Sequence, residues 1–216
     1  MILLLFTFCS YGQEIVEKKI HSNLDELVIE FDLIDNIRLY NNKTGSDIIV
    51  RAEGSTQIPN YQLKEHNGHV LLKDYKPFDP DENLDIDKVC SIEPNYTSYQ
   101  IYVPQDKTLY ISFIEGNFYA EGFIGILNLK VEDGIIKLTR ILDDTNIQLN
   151  SGSVTINEVK HTKIDAETNL GTLLTDLADP INNKERRKLI QSEGDARSAL
   201  IIKTIMANIY LYGSKG

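Results

Sequence analysis

Three short stretches of this chain carry side chains capable of chemistry. Asp79-Pro-Asp81-Glu-Asn83 places carboxylate or amide oxygens at positions one, three and five, as at the opening of a calcium-binding loop. The match ends there: Leu84 stands where a sharp-turn glycine belongs, and Cys90 where a bidentate Glu closes such loops. Asp85 and Asp87 keep the stretch acidic, so a low-affinity Ca²⁺ loop and a solvated acidic loop both fit. His66-Asn-Gly-His69 sets two imidazoles beside each other across a hairpin turn, but two ligands are too few for zinc and no third is evident. Arg140 with Asp143 and Asp144 has the residue types of a polysaccharide lyase or hydrolase site. The two aspartates fall between strand patterns, where a bend explains them equally, and no second acidic pair recurs to complete a site.

No catalytic, cofactor-binding or metal-ligating residue is therefore assigned, and the expectation is a non-enzymatic protein without a cofactor. There is no Gly-rich phosphate loop, no nucleophile elbow and no HExxH. Trp is absent, and the eleven tyrosines are the remaining sugar-stacking candidates, notably Tyr96, Tyr99, Tyr102 and Tyr110. Alternate strand positions are at least as suited to a core. A net charge of −10 argues against nucleic acid and against docking on anionic membranes. The one basic run, Lys184-Glu-Arg186-Arg187-Lys188, reads as a solvated loop or as an anion patch.

What must position any such residue is a repeat. Gly116, Gly134, Gly152 and Gly171 follow one another at intervals of 18, 18 and 19 residues. Two residues after each glycine stand Phe118, Ile136, Val154 and Leu173; seven after stand Phe123, Ile141, Val159 and Ala178. Leu129, Ile147 and Ala166 precede the next glycine by five, and Val131, Leu149 and Thr168 by three. Leu109, Ile111 and Phe113 extend the frame upstream. Downstream, Leu200, Ile202 and Thr204 precede Ala207, which takes the glycine's place, and Ile209 and Leu211 follow it. The intermediate position, Leu189, marks an irregular turn or an insertion. The 19-residue interval reads as one extra residue absorbed in a bend.

Period-two alternation within each unit means strand. So short a unit cannot bury its apolar face alone, but copies stacked on one another can. The expected fold is all-β: a β-solenoid with two short strands per rung of about 18 residues, each glycine taking φ > 0 at a tight bend. An antiparallel sandwich of hairpins is the competing reading. Upstream of the repeat, strands are expected at Leu27–Phe31, Ile37–Leu39, Ile48–Val50, Tyr61–Leu63, Val70–Leu72 and Tyr99–Val103, with Asn67-Gly68 as a hairpin turn. These form a non-repetitive N-terminal β cap. The only stretch with any helical character, 183–198, is interrupted by Gly194.

Residues 1–12 read as a secretory signal, with Ser10 and Gly12 as a small-x-small cleavage site leaving Gln13 at the mature terminus. The apolar run is too short to span a bilayer, and it lacks a basic n-region. A buried first strand and lipidation at Cys9 are the alternatives; the bulky Phe8 disfavours the second. With 1–12 removed, Cys90 is the only cysteine and no internal disulfide can form. The expected organisation is thus a signal peptide (1–12), N-terminal strands and acidic loop (13–108), and repeats (109–216).

The units Gly134-Ile-Ile136-Lys-Leu138 and Gly152-Ser-Val154-Thr-Ile156, with the closing Lys203-Thr-Ile-Met-Ala-Asn-Ile209-Tyr-Leu211, resemble the exported β-strand-repeat adhesin family of Bacteroidota-type bacteria. The GIN head domains of autotransporter-type adhesins look similar. The resemblance covers mainly residues 109–211 and departs from the family at Ala207 and around 180–195. It implies a right-handed, two-sheet β-solenoid in the periplasm, on the outer-membrane surface or secreted. Its partner would be an unknown envelope, cell-surface or glycan ligand, and the family supplies no catalytic residues. A carbohydrate-active enzyme on the same scaffold, and a structural envelope component, are the other readings.

Overall fold

A computed structural model describes residues 15–43, 45–54, 58–74, 96–160, 163–177, 187–192 and 198–213. Among them every regular element is a strand, and all fifteen strands belong to one mixed sheet.

Three 15-residue strands form its centre: β8 (Lys107–Glu121), β9 (Gly125–Thr139) and β10 (Thr145–Val159). They pair in parallel, and the glycines stand in register, Gly116 against Gly134 and Gly134 against Gly152. Each repeat unit is thus one continuous strand. Its inside–outside alternation slips by one residue at each glycine. Phe113 and Phe118 are both buried although five apart, with Ile114 and Glu115 exposed between them. Period-two alternation would put two residues five apart on opposite faces. The backbone therefore turns a corner at each glycine, giving every long strand a first and a second arm around one core.

The glycine column has a steric cause. A Cβ on Gly134 would lie 1.9 Å from the Gly116 carbonyl oxygen, and one on Gly152 1.9 Å from that of Gly134. Positive φ contributes at Gly116 (149°) and Gly152 (114°) but not at Gly134. The expectation that φ > 0 explains the whole column is corrected accordingly: close approach of one level's backbone to the next is what excludes a side chain.

Further levels are built from pairs of shorter strands. β2 (Glu26–Glu30) and β3 (Leu33–Asn41) run parallel to the first and second arms of β8. Beyond them, β6 (His69–Asp74) pairs with β2 and β7 (Thr97–Val103) with β3, again in parallel. At the other end, β14 (Ala199–Thr204) and β15 (Asn208–Gly213) lie against the two arms of β10. β11 (Lys163–Thr168) and β12 (Leu173–Thr175) lie outside those. Antiparallel strands flank the stack: β5 (Tyr61–His66) on β6, β4 (Asp47–Gly54) on β7, β1 (Ile15–His21) on β4, and β13 (Lys188–Ser192) on β11.

The order of levels differs from the order of the chain at both ends. β2/β3 lies between β6/β7 and β8, although it precedes both in sequence. β14/β15 fills the level between β10 and β11/β12. Gly152 and Gly171 are therefore not neighbours, and the 19-residue interval is a step over a level rather than a bend with one extra residue. Ala207 occupies the glycine position of the intervening level, and a Cβ on Gly171 would lie 2.0 Å from its carbonyl oxygen. That carbonyl accepts hydrogen bonds from Thr168 Oγ1 (2.9 Å) and Thr204 Oγ1 (3.1 Å). These bonds satisfy two threonines that stand at apolar frame positions and are buried. Leu189 is buried in β13, on the antiparallel flank, and Lys188–Ser192 is strand.

The core is one continuous cluster running from Leu27 to Leu211 and includes Phe118, Phe123, Ile136, Ile141, Val154 and Val159. Asn67 (φ 48°) and Gly68 (φ 85°) make the turn between β5 and β6, as the dipeptide predicts.

Candidate functional site

The outward face of the second arms gathers cations and aromatic rings. It is built by alternation: along β3, Ile37 and Leu39 point into the core, so Arg38 and Tyr40 point out. Register then aligns one row across five strands: Arg51 (β4), Gln100 (β7), Arg38 (β3), Tyr119 (β8) and Lys137 (β9). The row continues through Thr155 (β10) to Tyr210 (β15). The Arg38 guanidinium carbon lies 6.0 Å from the Tyr119 ring centre and Lys137 Nζ 5.9 Å from it. Arg51 lies 5.3 Å from the ring of Tyr102, which stacks on Tyr40 at 5.0 Å. A parallel row, Ser98, Asn36 and Asn117, supplies hydroxyl and amide groups beside it. At the β4 end these side chains line an open groove of about 500 Å³, with Glu17 and Glu53 on its rim.

The ionisation of this face is simple. Arg51 donates to Glu17 Oε2 (2.6 Å), and that bond raises its already high pKa. Arg38 and Lys137 form no ion pair with any described residue. Two unneutralised cations therefore flank one tyrosine ring on a chain whose net charge is −10. Amphipathic rings, hydroxyls, amides and fixed cations on one outward face can hold and orient a polar ligand.

The residues singled out from the sequence lie elsewhere. Asp143 Oδ2 accepts from the Gly125 N–H (2.7 Å), and Asp144 Oδ1 accepts from the Ala199 N–H (2.8 Å). Each carboxylate ties its own level to a neighbouring one. Arg140 pairs with Glu121 and with Glu158 (3.4 Å), one on each adjacent level. It also holds φ 53°, in a left-handed column with Gly122 (62°) and Glu158 (54°). The trio is thus corner structure. His66 and His69 face each other across the hairpin, rings 5.9 Å apart, and no group of three metal-ligating side chains occurs among the described residues. Lys188 pairs with Glu167 (2.9 Å). The acidic loop 79–87, Cys90, residues 1–12 and Lys184–Arg186 lie outside the described residues.

Of the four tyrosines, Tyr102 joins the cationic face, while Tyr110 is exposed on the opposite arm. Tyr96 lines a corner groove with Asp35 and Glu115. Tyr99 is core, its hydroxyl donating to Asp74 Oδ1 (2.5 Å). Burial, reinforced by that carboxylate, pushes its pKa far above the ordinary tyrosine value. Sequence reasoning missed Arg38, Arg51, Tyr119 and Lys137. Tyr119 and Lys137 are one repeat apart and could have been aligned; Arg38 and Arg51 lie outside the recognised repeat.

No family model matches the chain, and none of the curated proteins matches it. Solved structures do. A candidate cell adhesion protein from Clostridium sporogenes superposes with a TM-score of 0.65 at 14% identity, covering 94% of this chain and 100% of that one. Candidate adhesins from Bacteroides fragilis and Parabacteroides merdae match with TM-scores of 0.37 and 0.32, at 9% and 10% identity. They cover 93% and 95% of this chain, and 98% of each of theirs. The first likeness shows that the two chains share a fold. No helix among the described residues is long and apolar enough to cross a membrane.

Proposed function

We propose that this chain is a non-enzymatic, exported protein of the bacterial cell envelope with an adhesin-like binding role. The observation that carries the reading is the row from Arg51 to Lys137: a rigid outward face with cations and rings held at fixed strand spacing. The shared fold with a candidate cell adhesion protein supports it. The scaffold we propose is a right-handed β-solenoid, one rung per parallel level, as parallel connections favour. Residues 1–12 act as the signal peptide, and the described strands form one stack in which 26–41, 69–74 and 97–103 supply rungs before the glycine repeats begin. The carbohydrate-active-enzyme reading would place chemistry on Asp143 and Asp144, whose oxygens are already holding backbone N–H groups.

The test is attachment. Labelled protein should bind envelope or host-cell extracts saturably, without turning over any member of a glycan panel. Absence of saturable binding to every extract overturns the binding role, and turnover of a glycan overturns the non-enzymatic one. Sequencing the mature N-terminus should place Gln13 first; retention of Met1 on the exported protein removes the signal-peptide reading.

A further inference from the structure

The same face suggests its ligand. Along the row the cations fall on every second strand: Arg51 on β4, Arg38 on β3 and Lys137 on β9, with Gln100 and Tyr119 between them. Neighbouring strands are about 4.8 Å apart, so successive cations rise from backbone positions roughly 10 Å apart. That distance is on the order of the repeat of an extended disaccharide. We propose that this row binds a linear acidic polysaccharide carrying a carboxylate on every second sugar, laid across the strands with its neutral sugars on the intervening Tyr119 and Gln100.

Three features favour this occupant. The first is charge complementarity: Arg38 and Lys137 are exposed and lack an ion-pair partner among the described residues. The second is chemistry: a tyrosine ring offers an apolar face to sugar C–H groups, while Asn36, Asn117 and Ser98 beside the row offer hydrogen bonds to hydroxyls. The third is discrimination. A nucleic acid carries a charge on every nucleotide and binds basic surfaces through many phosphate contacts; here cations alternate with uncharged groups along the row.

The inference rests on the binding role proposed above, and its test separates the two. Hyaluronan octasaccharide, which carries a carboxylate on alternate sugars, is titrated into the full-length mature protein by calorimetry. Chito-oligosaccharide, a single-stranded oligonucleotide and phosphatidylserine vesicles serve as comparison probes. Hyaluronan should bind, with affinity falling as salt rises, and the comparison probes at least tenfold more weakly. The double variant Arg38→Ala/Lys137→Ala should lose tenfold or more. The charge-keeping Arg38→Lys/Lys137→Arg should stay within threefold, and Lys203→Ala, on the opposite arm, should match wild type. Failure of hyaluronan to bind overturns the proposal. So does equal binding of oligonucleotide or vesicles, or undiminished binding by the double alanine variant when its melting curve is unchanged. If envelope attachment persists while hyaluronan fails, only the ligand assignment falls; if attachment to every extract is absent, the binding role falls as well.

Discussion

Gly134 packs directly on the backbone of Gly116: a Cβ at residue 134 would stand 1.9 Å from the Gly116 carbonyl oxygen. Neither atom belongs to a flexible side chain, so nothing nearby can swing aside. Gly134→Ala should destabilise the protein by about 3 kcal/mol or more, because adjacent levels must separate to admit the methyl group. Gly68→Ala meets no atom within 4 Å and carries only the strain of a positive φ. It should cost about 1 kcal/mol. Chemical denaturation of both variants checks the contrast, and equal losses would contradict the steric account.

Val154 and Thr155 are adjacent in β10 but point to opposite faces, the first fully buried and the second half-buried on the outward row. Val154→Asp should abolish cooperative folding, since a lone carboxylate in the core costs more than about 4 kcal/mol. Thr155→Asp should change stability by about 1 kcal/mol or less. Circular dichroism melting curves distinguish the two.

Asp143 and Asp144 should behave as braces. Removing either acceptor leaves a backbone N–H without its partner, so Asp143→Ala and Asp144→Ala should each lose about 0.5–1.5 kcal/mol. Asp143→Asn keeps an acceptor oxygen and should lose less. Wild type and variants alike should leave every glycan in a panel intact, as read by product chromatography.

The interleaved level gives a covalent test. Asn146 is paired with Ile201, and Ile201 in turn with Asp165. With Cys9 and Cys90 replaced by Ser, Asn146→Cys/Ile201→Cys should oxidise to a disulfide, being one strand spacing apart. Asn146→Cys/Asp165→Cys should not, because two spacings, about 10 Å, exceed disulfide reach. The opposite pattern is what stacking in chain order would give.

Alkaline pH should unfold the protein through its core tyrosines. The single Tyr61 hydroxyl hydrogen lies between the carbonyls of Val50 (2.8 Å) and Val16 (3.1 Å), the nearer being the better acceptor, and burial pushes its pKa up to about 12. The unfolded chain releases that proton near pH 10. The folded state is therefore the better proton binder between about pH 10 and 12, and stability falls as pH rises through that window. Tyr61→Phe should be less stable at neutral pH, through loss of its buried hydroxyl hydrogen bond, but show a shallower alkaline decline. Ultraviolet titration should find Tyr61 and Tyr99 silent until unfolding.

Much of this protein was legible in its residues. The strands, the Asn67-Gly68 turn and the inward set Phe118, Ile136 and Val154 follow from period-two alternation, which is a property of the local backbone. The glycine interval of 18 likewise announced that units stack, because only copies lying one above another need the same residue at the same corner. The sequence alone therefore determined an all-β stack and its inside. Tertiary structure decided the order of the levels. Parallel ladders join strands through backbone N–H and C=O groups, and these are the same in every residue pair. Nothing local distinguishes a neighbour of Gly152 that contains Gly171 from one that contains Ala207. The same long-range pairing brought Arg38, from a stretch with no visible period, beside Tyr119 and Lys137. The repeat could fix which side chains face outward, but only the completed stack could set these three in one row.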